Sequence, residues 1–310
     1  MPSPLVLAVD FGGTKVEAAL VDAEGRVVAG SRHRRPTGHD ATSAQLEESV
    51  AGAVRAAYDS RPEGAELLGV GIGSAGPLDV HRGLISPFNV PAWRDYPMVE
   101  LVERTVPGLP VTLRIDGVAI ALAEHWVGAA QGYASVLGMI VSTGVGGGFL
   151  LGGRAAPSPT GNGGHIGHVE VAGFTDPCVC GGAGCLEAIA SGPNTVAWAR
   201  TQGFAGTTGE DLAAAHAAGD PVALAAVERS GTALGLAIGS AAALLDLDVV
   251  AVGGGFSRVS PVLFDHARAA VARRVNAPYV TRVKLVPSGL SDEGPLIGAA
   301  ALVHRAELVA

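Results

Sequence analysis

The feature that most constrains the fold of this chain is a pattern that occurs twice: an apolar strand, a glycine turn and a second apolar strand. The first copy spans residues 5–21 around the turn Phe11-Gly-Gly-Thr-Lys15, and the second spans residues 136–151 around Ser142-Thr-Gly-Val-Gly-Gly-Gly148. The copies lie about 130 residues apart and each is followed by helices and further strands, which indicates an internal duplication. The sequence therefore predicts an α/β protein with two similar lobes.

Alternating strands and helices are expected between and after the two copies. A third strand of the first sheet is expected near Arg26–Ala29, and a helix is expected to begin after a cap at Thr42 or Ser43. The further elements are strands at Leu67–Ile72, Val111–Ile115 and Val249–Val252 and a long helix at Val222–Leu245. The basic run at residues 32–35 is expected to be solvated surface.

Composition excludes several classes of protein. Hydrophobic residues make up 48% of the 310 residues and charged residues 16%, which argues against intrinsic disorder. The net charge of −8 argues against a nucleic-acid partner. The longest uncharged stretch, residues 125–153, contains a glycine-rich turn and is not expected to span a membrane. With three cysteines and an opening Met-Pro-Ser-Pro in place of a secretion signal, the chain is expected in the cytoplasm.

Both glycine turns are candidate phosphate-binding loops. Glycines at strand ends let backbone N–H groups approach a phosphate, although a Gly-Gly pair is also ordinary hairpin chemistry. Asp10 and Lys15 flank the first turn with a carboxylate and an amine, which suits a nucleotide phosphate chain with its Mg²⁺. Neither turn matches the Walker or the dinucleotide-binding pattern, so a nicotinamide-dependent dehydrogenase is disfavoured.

A cluster of one histidine and three cysteines is a candidate metal site. The four residues are His168, Cys178, Cys180 and Cys185. Four nitrogen and sulfur ligands suit tetrahedral Zn²⁺ in a structural role. The spacing differs from that of common zinc fingers, so the residues alone leave a group of buried thiols as the alternative.

Four segments in chain order resemble the signature of the ROK (repressor, open reading frame, kinase) family of sugar kinases. They are Asp10–Lys15, Gly71-Ile-Gly-Ser-Ala-Gly-Pro-Leu-Asp79, Ser142–Gly148 and the cysteine cluster. The resemblance implies an actin-like ATPase (ribonuclease H-like) fold, with two duplicated α/β lobes around a cleft where ATP and a sugar meet. It implies a small lobe of residues 1–116 plus about 295–310, a large lobe of residues 117–294 with a zinc knuckle, and a homodimer or homotetramer.

The resemblance also implies roles for individual residues. Phosphates would be cradled by Gly12, Gly13, Thr14, Thr143, Gly144 and Gly146, beside Asp10 and Lys15, with Gly254 and Gly255 next to the adenosine. The frame Gly167-His168 and Cys178-x-Cys-Gly-x-x-Gly-Cys-Leu-Glu187 resembles the zinc knuckle of the family. Sugar contacts would come from Gly76, Asn89, His165, His168 and Glu187.

Asp116 is the candidate general base. It follows an apolar strand at the start of a helix, where a lone Asp can also be an ordinary helix cap. Phosphorylation of a sugar hydroxyl needs a carboxylate within hydrogen-bond reach of that hydroxyl, and the resemblance gives this role to Asp116. It implies an ATP- and Mg²⁺-dependent hexose 6-kinase.

Two positions depart from the family pattern. Ile115 stands where the family has Asn before the base, and His165 stands where it has Glu. An unmade buried hydrogen bond costs about 1 to 3 kcal/mol, so plain glucose is expected to be a poor substrate. A modified or amino hexose such as kanosamine is the favoured substrate. An ordinary glucokinase with neutral changes at both positions is the alternative.

Two other functions fit part of the pattern. Some ROK proteins are repressors with a DNA-binding module ahead of the kinase-like part, but only nine residues precede Asp10, so none is expected here. A catalytically silent sugar sensor would accommodate the two departures, but it gives no role to Asp116.

Overall fold

The computed structural model describes residues 4–290 and 292–309. Contacts divide the chain into two units, the first containing Met1–Gln131, Gly148–Gly164 and Leu290–Ala310 and the second Gly132–Gly147 and His165–Gly289. This division assigns the helix that begins at Asp116 to the first unit, whereas the sequence predicts that the second lobe begins at residue 117. The lobe boundaries stay a prediction, and their residues 1–3, 291 and 310 lie outside the described part.

The elements alternate along the chain. The strands are β1 (Leu5–Phe11), β2 (Lys15–Val21), β3 (His33–Pro36), β4 (Leu67–Ser74), β5 (Leu78–Asp79), β6 (Leu84–Ile85), β7 (Val111–Ile115), β8 (Val136–Val141), β9 (Val145–Leu151), β10 (Arg154–Ala155), β11 (Val249–Gly253) and β12 (Lys284–Pro287). The helices are α1 (Ser43–Asp59), α2 (Met98–Thr105), α3 (Asp116–Trp126), α4 (Leu186–Ala190), α5 (Gly192–Thr201), α6 (Gly209–Ala217), α7 (Pro221–Leu245), α8 (Val262–Ala272), α9 (Pro278–Thr281) and α10 (Gly294–His304). Short 3₁₀ turns lie at Ile166–His168, Phe256–Arg258 and Ala306–Leu308.

The two large sheets have the same topology. The first has the strand order β3-β2-β1-β4-β7 and the second β10-β9-β8-β11-β12. In the first, β1 and β2 form an antiparallel hairpin while β4 and β7 are parallel to β1; in the second, β11 and β12 are parallel to β8. The order of strands repeats the duplication that the glycine turns predict. Strand β9 begins in the second unit and continues into the first.

Helix α1 has the cap and the buried face that its sequence pattern predicts. Thr42 accepts a bond from the backbone N–H of Gln45, and the Gln45 side chain accepts from the backbone N–H of Thr42, which makes a capping box. Leu46, Val50 and Val54 lie on one face and are fully buried. The predicted helix start and buried face are confirmed.

The core of the first unit depends on a close approach between a strand and a helix. Gly71 in β4 faces the backbone of Ala299 in α10 so closely that a Cβ would overlap the Ala299 carbonyl oxygen. Ala299 and Ala300 are fully buried in this contact layer, next to Val6 and Ala8 of β1. Small residues on both sides therefore let α10 lie directly on the sheet.

The third strand of the first sheet lies later than expected. The prediction of a strand near Arg26–Ala29 is wrong, since Val27 makes only an isolated bridge to Val21 and β3 begins at His33. The Ser31 hydroxyl oxygen accepts from the N–H of Leu20 at 3.0 Å and so replaces a strand partner there.

The basic run is only partly the solvated surface that the sequence predicted. Glu17 in β2 is 1% exposed, and its carboxylate bonds Lys15, Arg32 (3.0 Å) and Arg34 (2.8 Å). Burial alone would raise the pKa of Glu17, but the bonds from Lys15 and Arg34 lower it below its usual value.

Among the helices of the described residues, α7 alone meets the length and composition that a membrane span requires. Of its most apolar window, 61% is buried within the protein. Helix α8 packs along it through close contacts of Gly231 and Gly235 with the α8 backbone. Burial of this kind is typical of a core helix.

Candidate functional site

The first glycine turn, residues 11–15, is fixed by its neighbour Thr37. The N–H of Gly12 donates to the Lys15 carbonyl (2.9 Å), while Thr37 donates from its N–H to the Thr14 carbonyl (3.0 Å) and from its hydroxyl to the Gly12 carbonyl (2.8 Å). The turn carbonyls are thereby engaged within the protein. Lys15 bonds Glu17, so its amine is already paired.

Two carboxylates interact beside the first turn. Asp10 precedes it in β1, and Asp116 begins α3 directly after β7, two strands away in the same sheet. Burial, and then the charge of Asp116, raise the pKa of Asp10 to about 7, although Lys15 acts in the opposite direction. Asp116 Oδ1 accepts from the N–H of Gly117 at 2.7 Å. The sheet therefore brings together the predicted base and the predicted phosphate-loop acid.

The loop that carries Asn89 lies against the first turn. A Cβ at Gly13 would lie 2.9 Å from Cβ of Asn89, so only glycine fits there. Gly76 follows β4, and the N–H of its neighbour Ala75 donates to the Phe11 carbonyl at 2.9 Å. Asn89 and Gly76, both predicted sugar contacts, are thus close to the first glycine turn within the first unit.

An aromatic stack that the sequence does not predict supports this loop. Trp93 is fully buried between Phe11 and Tyr96, with ring centroids 5.1 and 3.8 Å away. Its Nε1 donates to the Ser43 hydroxyl at 3.0 Å. Arg94 donates to the carbonyls of Pro87 (2.9 Å) and Val90 (3.2 Å). A tryptophan within a proline-rich loop was the available signal, because buried indoles need a partner for their N–H.

Ile115 belongs to the core of the first unit. It is 2% exposed and pairs with Ser74 across β4 and β7. Its side chain therefore packs against protein.

The second glycine turn, residues 142–148, is held by one hydrogen bond within the turn and by bonds to helices α4 and α5. The N–H of Ser142 donates to the Gly144 carbonyl (2.8 Å), the N–H of Gly192 donates to the Ser142 carbonyl (2.8 Å), and Glu187 Oε2 accepts from the N–H of Val145 (2.9 Å). Thr143 and Gly144 lie in the turn, and Gly146 lies in β9. Glu187, a predicted sugar contact, therefore also holds the turn that the sequence predicts to bind phosphates.

The end of β11 lies beside the second turn. Gly254 has φ +95°, and a Cβ there would lie 2.5 Å from the Val141 carbonyl oxygen. A Cβ at Gly255 would lie 3.6 Å from the Ser142 hydroxyl. The two glycines predicted next to the adenosine are thus adjacent to the turn predicted to bind phosphates.

The histidine and three cysteines form a compact cluster in the second unit. Their ligand atoms all lie within 4.8 Å of one another. Cys180 Sγ lies 3.6 Å from Cys185 Sγ, and Cys178 Sγ lies 3.6 Å from His168 Nδ1. A tetrahedral zinc site with bonds of about 2.3 Å has ligand separations of about 3.8 Å, so the donor set and spacing fit Zn²⁺.

His165 has an unpaired nitrogen in the second unit. Its Nε2 is buried and has no hydrogen-bond partner within residues 4–290 and 292–309. Burial, and then the neighbouring His168, lower the pKa of His165. The imidazole is therefore neutral at pH 7 and offers one buried hydrogen-bonding atom.

The protein has the actin-like ATPase fold. Its two sheets repeat one topology, each sheet carries a glycine turn, and solved structures with the same fold superpose on the chain. A glucokinase of the ROK family from Streptomyces griseus, solved with glucose and AMPPNP, superposes with a TM-score of 0.82 at 30% identity over 97% of this chain and 99% of that one. A ROK hexokinase from Thermus thermophilus has a TM-score of 0.82 at 33% identity, covering 98% and 99%. The fold prediction is confirmed.

The chain belongs to the ROK family, whose model matches residues 6–306. It is 30% identical to the glucokinase of Thermotoga maritima, covering 98% of this chain and 99% of that protein.

Proposed function

We propose that this protein is an ATP-dependent carbohydrate kinase that transfers the γ-phosphoryl group to the 6-hydroxyl of a hexose. The observation that carries the proposal is the Asp10 and Asp116 pair beside the first glycine turn. Relatives named as sugar kinases, aligned over nearly the whole chain, support the class of reaction.

Asp116 is the proposed general base. Its bond from the N–H of Gly117 orients the carboxylate at the end of β7, so that a carboxylate oxygen can accept the proton of the attacking hydroxyl. Asp10, whose pKa is raised to about 7, is partly protonated at neutral pH. In its ionised form the carboxylate would hold a cation. Bound Mg²⁺ would supply charge neutralisation for the transferring phosphoryl group.

The proposed substrate contacts are Gly76, Asn89, His165, His168 and Glu187. Gly76 and Asn89 belong to the first unit, while His165, His168 and Glu187 belong to the second. Ile115 replaces the Asn of the family pattern, so the amide that would bond the sugar is missing. Because Ile115 is buried in the core, it offers the sugar no apolar contact in its place. His165 is therefore the residue through which specificity differs, since its unpaired Nε2 needs a hydrogen-bonding substituent.

The substrate class that this imidazole favours is a hexose with a changed substituent. A neutral imidazole can donate or accept one bond, whereas the carboxylate of the family pattern only accepts. Among the relatives, the chain is also 31% identical to the N-acetylmannosamine kinase of Shigella flexneri, over 98% of this chain. Neither His165 nor these relatives select kanosamine in particular.

A panel of hexoses tests the proposal. Glucose, mannose, N-acetylmannosamine and 3-amino-3-deoxyglucose are incubated with ATP and Mg²⁺, and ADP release and the position of the phosphate are measured. We expect 6-phosphorylation and a higher kcat/KM for a substituted hexose than for glucose. A higher kcat/KM for glucose than for every other sugar would reject the specificity proposal, and the absence of turnover with every sugar would reject the kinase.

Zn²⁺ is the proposed occupant of the cysteine cluster, with His168, Cys178, Cys180 and Cys185 as ligands. The four ligands complete a tetrahedron, so the ion would have a structural role. A cytoplasmic location and a homodimer or homotetramer complete the proposal.

A further inference from the structure

We propose that Glu187 is a positioning residue for the second glycine turn, and that through it the cysteine cluster sets the affinity for nucleotide phosphates. The inference rests on the proposed function, because it assumes that this turn contacts ATP. It gives Glu187 a role that a sugar contact alone does not include.

The carboxylate of Glu187 reaches the turn at two neighbouring residues. Oε2 accepts from the N–H of Val145 at 2.9 Å, and the same oxygen lies 2.6 Å from the place where a Cβ of Gly144 would be. A hydrogen bond to a carboxylate is stronger than one between neutral groups. Because Gly144 has no side chain, the carboxylate fits directly against the turn.

The other side of Val145 is closed by a second segment. A Cβ at Gly167 would overlap the Val145 carbonyl oxygen, and a Cβ at Gly147 would lie 2.8 Å from Cγ2 of Ile166. The turn is therefore held between α4, which bonds its N–H, and the 3₁₀ turn at Ile166–His168, which packs on its carbonyl side.

Both of these segments carry ligands of the candidate zinc site. Cys185 lies two residues before Glu187, and His168 directly follows Gly167. The N–H of Leu186 donates to the Val169 carbonyl at 3.0 Å, which joins the two segments beside the cluster. An ion that draws His168 and Cys185 together would fix the spacing of the two supports around Val145.

Two variants of Glu187 separate reach from charge. Glu187→Gln keeps the length of the side chain and an oxygen acceptor for Val145, whereas Glu187→Asp keeps the charge but is one methylene shorter. We expect the affinity for a non-hydrolysable ATP analogue, measured by calorimetry without sugar, to fall about tenfold in Glu187→Asp and less than about threefold in Glu187→Gln.

Hydrogen exchange gives a readout that is independent of turnover. Amides of residues 142–148 should exchange faster in Glu187→Asp than in the wild type or Glu187→Gln. Glu228→Ala, which removes an exposed carboxylate from α7, serves as the matched control and should leave affinity and exchange unchanged. Gly167→Ala keeps Glu187 but crowds Val145, so it should also weaken nucleotide binding; thermal melting identifies any variant that has not folded.

Removal of metal tests the link to the cluster. Chelation of the wild type should accelerate exchange at residues 142–148 and weaken binding of the analogue, and added Zn²⁺ should restore both. The proposal is overturned if Glu187→Asp binds the analogue like the wild type, if it loses only sugar affinity, or if chelation leaves exchange in this turn unchanged. Wild-type turnover with sugars tests the proposed kinase separately, since the exchange pattern does not depend on catalysis.

Discussion

The two glycine turns share a sequence pattern but are supported in different ways. The first is fixed by Thr37 and lies next to interacting carboxylates, of which Asp10 has its pKa raised to about 7. In the second turn, the backbone N–H of Val145 donates to the carboxylate of Glu187. The cysteine cluster lies next to Glu187 in the sequence, because Cys185 is two residues before it.

This difference shows that the two copies of a duplicated pattern can use their acidic residues for different purposes. In the first unit the turn is stabilised by the backbone N–H and the hydroxyl group of Thr37, and the role proposed for the acids beside it is a chemical one. In the second unit the acid is used for support. Substitutions in the first unit should therefore change turnover or its pH dependence, while substitutions around the cluster should change stability and nucleotide affinity together.

The largest expected effect is that of Asp116→Asn. The amide cannot accept the proton of the sugar hydroxyl, so kcat should fall about 10³-fold, while sugar binding and the melting temperature stay close to those of the wild type. A coupled ADP assay and calorimetry with sugar measure the two quantities. Asp59→Asn, an exposed acid at the end of α1, is the control and should keep full activity. Sugar binding without turnover in both the wild type and Asp116→Asn would favour the silent sugar sensor, and wild-type turnover in Asp116→Asn would reject Asp116 as the general base.

The next effect concerns the support of the second turn. Cys180→Ser removes one thiolate from the four candidate ligands, so bound zinc should fall from about one per chain to nearly none. The free energy of unfolding should drop by about 3 kcal/mol with it. Metal analysis and urea unfolding check this, with the exposed neighbour Val179→Ser as the control. Freshly purified wild type without stoichiometric zinc would refute the assignment.

The parts that the sequence predicted are those set by residues close together in the chain. The hairpins around both turns, the capped helix α1 and the cysteine cluster each depend on local patterns such as Thr42 followed by Gln45. Strands β7 and β8 lie where the apolar runs predict them. The predicted duplication agrees with the strand order that the two sheets share.

The parts that the sequence did not predict depend on register or on distant side chains. The interaction of Asp10 with Asp116 requires β1, β4 and β7 to end at the same level of the sheet. The stack of Phe11 on Trp93 joins segments about 80 residues apart, and no local periodicity reports such a contact. The bond from Val145 to Glu187 likewise depends on where α4 packs.

The smallest expected effect is a pH-dependent gain in stability from Asp10→Asn, which tests whether the first turn gives up stability for its chemistry. The pKa of Asp10 rises from 3.8 to about 7 on folding, so the folded state binds the proton more tightly than the unfolded chain. The stability that this proton contributes is complete below about pH 4 and is lost as the pH rises through about 7. Asparagine stays neutral, so its advantage should be small at pH 4.5 and should grow as the pH rises to 8, because the buried carboxylate of Asp10 then carries its unfavourable charge. Urea unfolding at both pH values without Mg²⁺ measures the difference, and an equal effect at pH 4.5 and pH 8 would contradict the raised pKa.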